Sequence, residues 1–239
     1  MRAVVTGGAG FIGSHLIEAL VARGDDVVCI ERPGGGAGWV RNQRIDFAPI
    51  GLENADALRG ALEGAEVVFH LAALTEARTP SDFYTVNADG TRRVLQAAAA
   101  QGSSAPRVIL LSSLAALGPC HNGELLTPDT LPCPLSHYGQ SKLLAEAMVH
   151  AYDDRVPATI LRFPPVYGPR ERGVLTFFRM VRRGFAVTVG RWDREMSMLY
   201  VGDAVQALLG AAAAPRALGR TYCVAHPEVY GRNGYRSGL

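Results

Sequence analysis

The chain has 239 residues, nearly half of them apolar, and a formal net charge of +2. That length can bury a substantial interior, and the near-neutral balance argues against a nucleic-acid or membrane-surface binder. No apolar run reaches the length of a membrane span.

Residues 3–6 read as a buried strand, residues 7–13 as a glycine turn and residues 14–23 as a helix. Glycines suit a turn that must be tight, let a pyrophosphate approach the backbone and pack a helix on a strand. The pyrophosphate would sit on the free N–H groups of Phe11, Ile12 and Gly13, beside Gly7 and Gly10. A second strand spans residues 26–30 and ends at Glu31, placed to accept both ribose hydroxyls of an adenosine. Glu31 would repel a 2′-phosphate, whereas Arg32 beside it would pair with one. Charge repulsion at contact outweighs a mobile surface arginine, so NAD is expected over NADP.

The glycine-rich loop at 33–38 then leads to a helix over 54–62 with Asn54 as its N-cap. A strand over 66–71 follows, then a long helix over 81–100, an apolar strand over 107–112, a helix over 136–151 and a strand over 158–162. This alternation predicts a doubly wound parallel sheet covered on both faces. Beyond residue 163 the pattern loosens into a helix over 175–183, a strand near 198–201, an alanine-rich helix over 204–214 capped by Asp203, and a last strand over 219–225. The domain reading is a dinucleotide-binding core over 1–162, a partial substrate region over 163–225 that returns elements to the sheet, and a disordered tail over 226–239.

Tyr138 and Lys142 lie one turn apart on one helix face. A nearby cation favours the phenolate, which can exchange a proton with an alcohol or a carbonyl. Ser113 ends the apolar strand and can hydrogen-bond the same substrate oxygen. His15 and His150 read as packing residues. His137 reads as either a substrate neighbour or a surface residue, and Arg170 and Arg172 as anion contacts or solvated side chains. The segment 119–134, which carries His121, is expected to close over the site as a lid. Cys29, Cys120, Cys133 and Cys223 lack CxxC spacing, so no metal site is expected. Pairing of Cys120 with Cys133 is not expected in a reducing compartment. With no leader pattern before the first strand, the expected location is cytoplasmic.

These residues carry a resemblance. Thr6 to Gly13, His70-Leu71-Ala72-Ala73, Val86-Asn87, Ser112-Ser113, Tyr138 to Lys142, and Arg162 with Val166-Tyr167-Gly168-Pro169 resemble the extended short-chain dehydrogenase/reductase family, also called the NAD-dependent epimerase/dehydratase family. The resemblance implies a Rossmann-type fold and a nicotinamide cofactor. It implies Tyr138 as acid/base, Lys142 on the nicotinamide ribose and Ser113 on the substrate oxygen. Leu71, Ala72, Ala73 and Pro165 would border the cofactor, and Asn87 would support the central helix and a proton-relay water, or serve only as a packing amide.

Departures from the family pattern shape the rest. Where members carry an Asp that reads the adenine amino group, this chain has Gly51, so adenine recognition passes to Glu53 or to backbone. Pro165 stands where nucleotide-sugar epimerases often have an Asn, and the acidic pair of the dehydratases is missing after Ser113. The favoured reading is therefore interconversion of a secondary alcohol and a ketone. A nucleotide-sugar epimerase is the alternative, and a nicotinamide-binding regulatory protein without turnover the second alternative. Relatives usually carry more chain after the last matched strand, so the substrate side is expected to be open or covered by a neighbouring subunit. A homodimer through the helices at 81–100 and 136–151 is expected.

Overall fold

The computed structural model describes residues 1–119, 125–171, 197–231 and 234–237. Seven strands form one parallel sheet: β1 (Arg2–Thr6), β2 (Asp26–Glu31), β3 (Asp46–Pro49), β4 (Val67–His70), β5 (Arg107–Ser113), β6 (Ala158–Phe163) and β9 (Arg220–Cys223), in the order β3-β2-β1-β4-β5-β6-β9. The order reverses between β1 and β4, which pair in register from Ala3 opposite Val67 to Thr6 opposite His70. A crevice opens at such a reversal, beyond the carboxyl ends of the strands.

Both faces are covered, which is why the central strands are almost continuously apolar. On one face α1 (Phe11–Ala22) and α6 (Val201–Ala213) pack Leu16, Ile17, Leu20, Val205 and Leu208 against Val5, Phe69 and Ile109. On the other, α2 (Ala55–Ala61), α4 (Gly90–Ala99) and α5 (His137–His150) pack Leu58, Leu95, Ala145 and Val149 against Val4, Val68 and Ile160. Asn54 caps α2, accepting the Ala57 N–H at 3.1 Å, and Ser136 caps α5, accepting the Gly139 N–H at 3.0 Å.

The structure differs from the sequence reading in four places. The long helix expected over 81–100 is α3 (Pro80–Phe83), a π-helical turn over Tyr84–Asp89, and then α4. An extra residue in one turn leaves apolar spacing nearly intact, so periodicity does not reveal it. Strand β3 is only four residues long, ends in proline and lies half-exposed at the sheet edge, and so carries no strand pattern. Asp203 does not cap its helix: Tyr200 is the N-cap residue, and Asp203 sits inside the first turn, where its charge meets the helix dipole. Finally, the tail expected to be disordered pairs β10 (Glu228–Gly231) with β11 (Gly234–Ser237) as an antiparallel hairpin.

Short strands β7 (Val166–Tyr167) and β8 (Leu199–Tyr200) pair beside the main sheet. The helix expected over 175–183 lies outside the described residues, as do Cys120, His121 and Arg172. Among the described residues no helix is long and apolar enough to cross a membrane.

Candidate active site

A cavity of about 1060 Å³ opens at the carboxyl ends of the strands. It brings together Gly7, Gly10, Phe11, Ile12, Gly13, Glu31, Arg32, Leu71, Ala72, Ala73, Ser113, Tyr138, Lys142 and Pro165. Of the residues singled out in the sequence for cofactor or catalysis, Asn87 alone is not on its wall.

At one end is the turn between β1 and α1. Gly7 has φ of +69°, and a Cβ there would lie 2.8 Å from the Ala72 backbone, so the loop fits against the wall after β4 only as glycine. A Cβ on Gly13 would overlap the Gly7 carbonyl oxygen, which is why α1 can start directly on the turn. Gly10 is the N-cap and has no side chain to satisfy the first-turn N–H groups. The residues that carry those groups, Phe11, Ile12 and Gly13, line the cavity, and an uncapped helix start of this kind suits an anion. This cradle, with Glu31 at the end of β2, fits the diphosphate and the adenosine ribose of a dinucleotide.

The adenosine end is walled by Ile30, Ile50, Leu52, Gly90, Arg93 and Glu53. Glu53 folds its carboxylate over Gly51, into the space that any side chain at position 51 would need. The acidic group missing at 51 is therefore supplied two residues later.

Behind the cavity wall runs a directed hydrogen-bond chain. The Thr91 hydroxyl donates to the Asn87 carbonyl at 2.6 Å, so its oxygen accepts from His70 Nε2–H at 3.0 Å. His70 Nδ1 then accepts from the Thr6 hydroxyl at 2.7 Å, and Thr6 Oγ1 accepts the Ala72 N–H at 3.2 Å. Every member is satisfied only with a neutral imidazole. Burial, with a smaller push from the Lys142 charge, lowers the His70 pKa to about 3. Asn87, on the π-helical turn, accepts the Leu74 N–H at 2.7 Å and donates to the Leu74 carbonyl and to Ser141 Oγ. With its amide consumed in this way, it fixes the wall from behind. Nothing in the sequence beyond a histidine at a buried strand end signalled this network.

At the other end, α5 presents Tyr138 and Lys142 to the end of β5. Burial raises the Tyr138 phenol above the usual tyrosine value, and the Ser113 hydroxyl hydrogen-bonded to it opposes that rise. Burial pulls the Lys142 ammonium down to about 8, partly offset by Glu146 one turn further on. The lowering expected from the Tyr/Lys spacing does not appear: desolvation is the larger influence on the phenol, and the hydrogen bond with Ser113 is what opposes it. Lys142 Nζ donates to the Leu111 carbonyl at 2.8 Å, which pins the ammonium beneath the site. Glu146 is itself held by the Arg162 guanidinium at 2.7–3.2 Å and by the Ser112 hydroxyl.

The remaining candidates fall away from the cavity. His137 Nδ1 donates to the exposed Tyr84 hydroxyl at 2.9 Å, which passes its own proton to Gln140. His150 lies 3.2 Å from Asp153 at the outer end of α5. Arg170 does meet an anion, but one within the chain rather than in the cavity: its guanidinium forms an ion pair with the Glu18 carboxylate of α1 and donates to Ser14 Oγ.

The parallel sheet with its reversal in strand order and the glycine cradle at that reversal define a Rossmann-type dinucleotide-binding protein, with Ser113 and Tyr138 half-buried and Lys142 buried at the far end of the cavity. Comparison with known proteins narrows this. The chain belongs to the NAD-dependent epimerase/dehydratase family, whose model matches residues 3–225. It is 34% identical over 212 residues to a ceramide reductase of Caulobacter vibrioides, an alignment covering 88% of this chain and 61% of that protein. It is 29% identical over 250 residues to an uncharacterised UDP-glucose epimerase of Bacillus subtilis, covering 95% and 78% of the two chains. The crystal structure of UDP-glucuronic acid 4-epimerase from Bacillus cereus in complex with NAD superposes with a TM-score of 0.85 at 28% identity, covering 98% of this chain and 81% of that one. NAD is the cofactor of this family.

Proposed function

We propose that this chain is an NAD-dependent epimerase that inverts a secondary-alcohol carbon of a nucleotide sugar. The observation that carries the reading is the convergence of Ser113, Tyr138 and Lys142 on the cavity that also holds the glycine cradle. NAD, held by the glycine cradle and Glu31, would supply a hydride acceptor and donor, with no net oxidation of the sugar over a cycle. Tyr138 takes the hydroxyl proton as the alcohol becomes a ketone and gives it back on reduction. Ser113 donates a hydrogen bond to the substrate oxygen, and Lys142 holds the cofactor ribose while its charge favours the phenolate. The similarity to sugar-nucleotide epimerases supports this over the alcohol/ketone reading that the sequence favoured.

A second reading, reduction of a ketone with exchange of cofactor, is favoured by the 34% identity to ceramide reductase and by Pro165 on the cavity wall. Proton NMR of the purified protein mixed with UDP-glucose or UDP-glucuronic acid, with no cofactor added, separates the two. Appearance of the 4-epimer supports the proposal. No epimer, with oxidation of NADH by added long-chain ketones, supports the second reading.

A further inference from the structure

The segment after β6 lines the cavity with Pro164, Pro165, Val166 and Glu171, and it is fastened at both of its ends. On the β6 side the Pro165 carbonyl accepts the Leu199 N–H at 3.1 Å, and Val166–Tyr167 pairs with Leu199–Tyr200. On the far side the segment is fastened to the helix that begins at the glycine cradle. His15 Nε2 donates to the Pro169 carbonyl at 2.9 Å, and Arg170 donates to Ser14 Oγ at 3.0 Å and to Glu18 Oε1 at 2.6 Å. The Arg170 guanidinium also lies over Trp39, 5.3 Å from the ring centroid, on the loop that follows β2.

Arg170 has φ of +76°, and no other non-glycine residue among those described has a positive φ. That backbone region disfavours a side chain, so the contacts of the guanidinium must hold the turn in place. A dinucleotide lying from the Gly10–Gly13 turn toward Tyr138 passes along this wall. We propose that residues 164–171 form a strap over the cofactor cleft and that Arg170 is the positioning residue that keeps it closed, so that NAD leaves and enters slowly. The purpose of such a strap rests on the epimerase reading, because an enzyme that restores its own cofactor each cycle gains from keeping it.

The test is stopped-flow fluorescence of NADH binding, and of NADH release chased by excess NAD, on the full chain. The variants are Arg170→Gly, which keeps the backbone conformation, and Glu18→Gln, which lies outside the cavity lining and reports on the same contact if the first misfolds. Opening a strap speeds both directions, so release and association each rise about tenfold, corresponding to about 1.4 kcal/mol, while Kd changes less than either rate. Unchanged release in both variants overturns the proposal. So does faster release with unaltered association, which marks a weakened site rather than an opened strap. If UDP-sugars are not epimerised yet both rates still rise, the strap stands and the epimerase reading falls. If epimerisation proceeds and the rates do not move, the reverse holds.

Discussion

His70 makes the fold acid-sensitive at the wall of the cofactor cleft. It is 1% exposed, and its neutral ring accepts from Thr6 and donates to Thr91. Its pKa falls from 6.5 to about 3 on folding. Between those values the folded chain binds fewer protons than the unfolded chain, so stability falls as pH falls. The stabilisation is fully present above pH 6.5 and is lost progressively below it. Each pH unit in that window costs about 1.4 kcal/mol. At pH 4.5, about two units into the window, the loss comes to about 3 kcal/mol.

The perturbation is His70→Gln, which keeps a donor and an acceptor but cannot titrate. The variant gives up about 1–2 kcal/mol at neutral pH through imperfect hydrogen bonds. Urea unfolding of both proteins from pH 7.5 to 4.5 gives two stability curves. Carboxylate titrations are common to both and cancel in the difference. The wild type should lose about 3 kcal/mol more than the variant over this range. Parallel curves would refute the neutral, directed chain from Ala72 to Asn87.

Lys142 acts with the same sign in an alkaline window. Its pKa falls from 10.5 to about 8, so the cost of burying its charge is present below 8 and relieved as pH rises toward 10.5. Lys142→Met should therefore unfold at higher urea than the wild type at pH 7, by up to about 3 kcal/mol, while turnover collapses; a less stable variant contradicts this. At the adenosine end, Glu53→Ala should weaken NAD about tenfold, or about 1.4 kcal/mol, and leave nicotinamide hypoxanthine dinucleotide, which lacks the amino group, nearly unchanged in calorimetry. Gly51→Asp alone should also weaken NAD because it crowds the Glu53 carboxylate, and adding Glu53→Ala should restore binding. Equal losses for the two dinucleotides would remove Glu53 from adenine recognition.

The sheet and the cradle were legible in the sequence because both follow local rules. Strands buried on both faces are apolar throughout, and Gly7 and Gly13 occupy positions that no side chain fits. The Tyr138/Lys142 spacing likewise placed both groups on one helix face. What the sequence concealed depends on partners far along the chain. The π-helical turn exists where Asn87 binds the Leu74 backbone, and His70 is neutral because Thr6 and Thr91 flank it. The phenol and ammonium shifts depend on how deeply α5 is buried, which spacing cannot give. Arg170 looked like a solvated or anion-binding side chain because its partners lie some 150 residues earlier, on α1.

The central claim is that a dinucleotide held by the first glycines faces the Tyr138 phenol. Purified wild type and Tyr138→Phe can be denatured to quantify released NAD, and each assayed for UDP-sugar epimerisation by NMR. The account predicts equal NAD content in the two proteins and a loss of turnover of about 10²- to 10⁴-fold in the variant. Equal turnover at equal NAD content would contradict it.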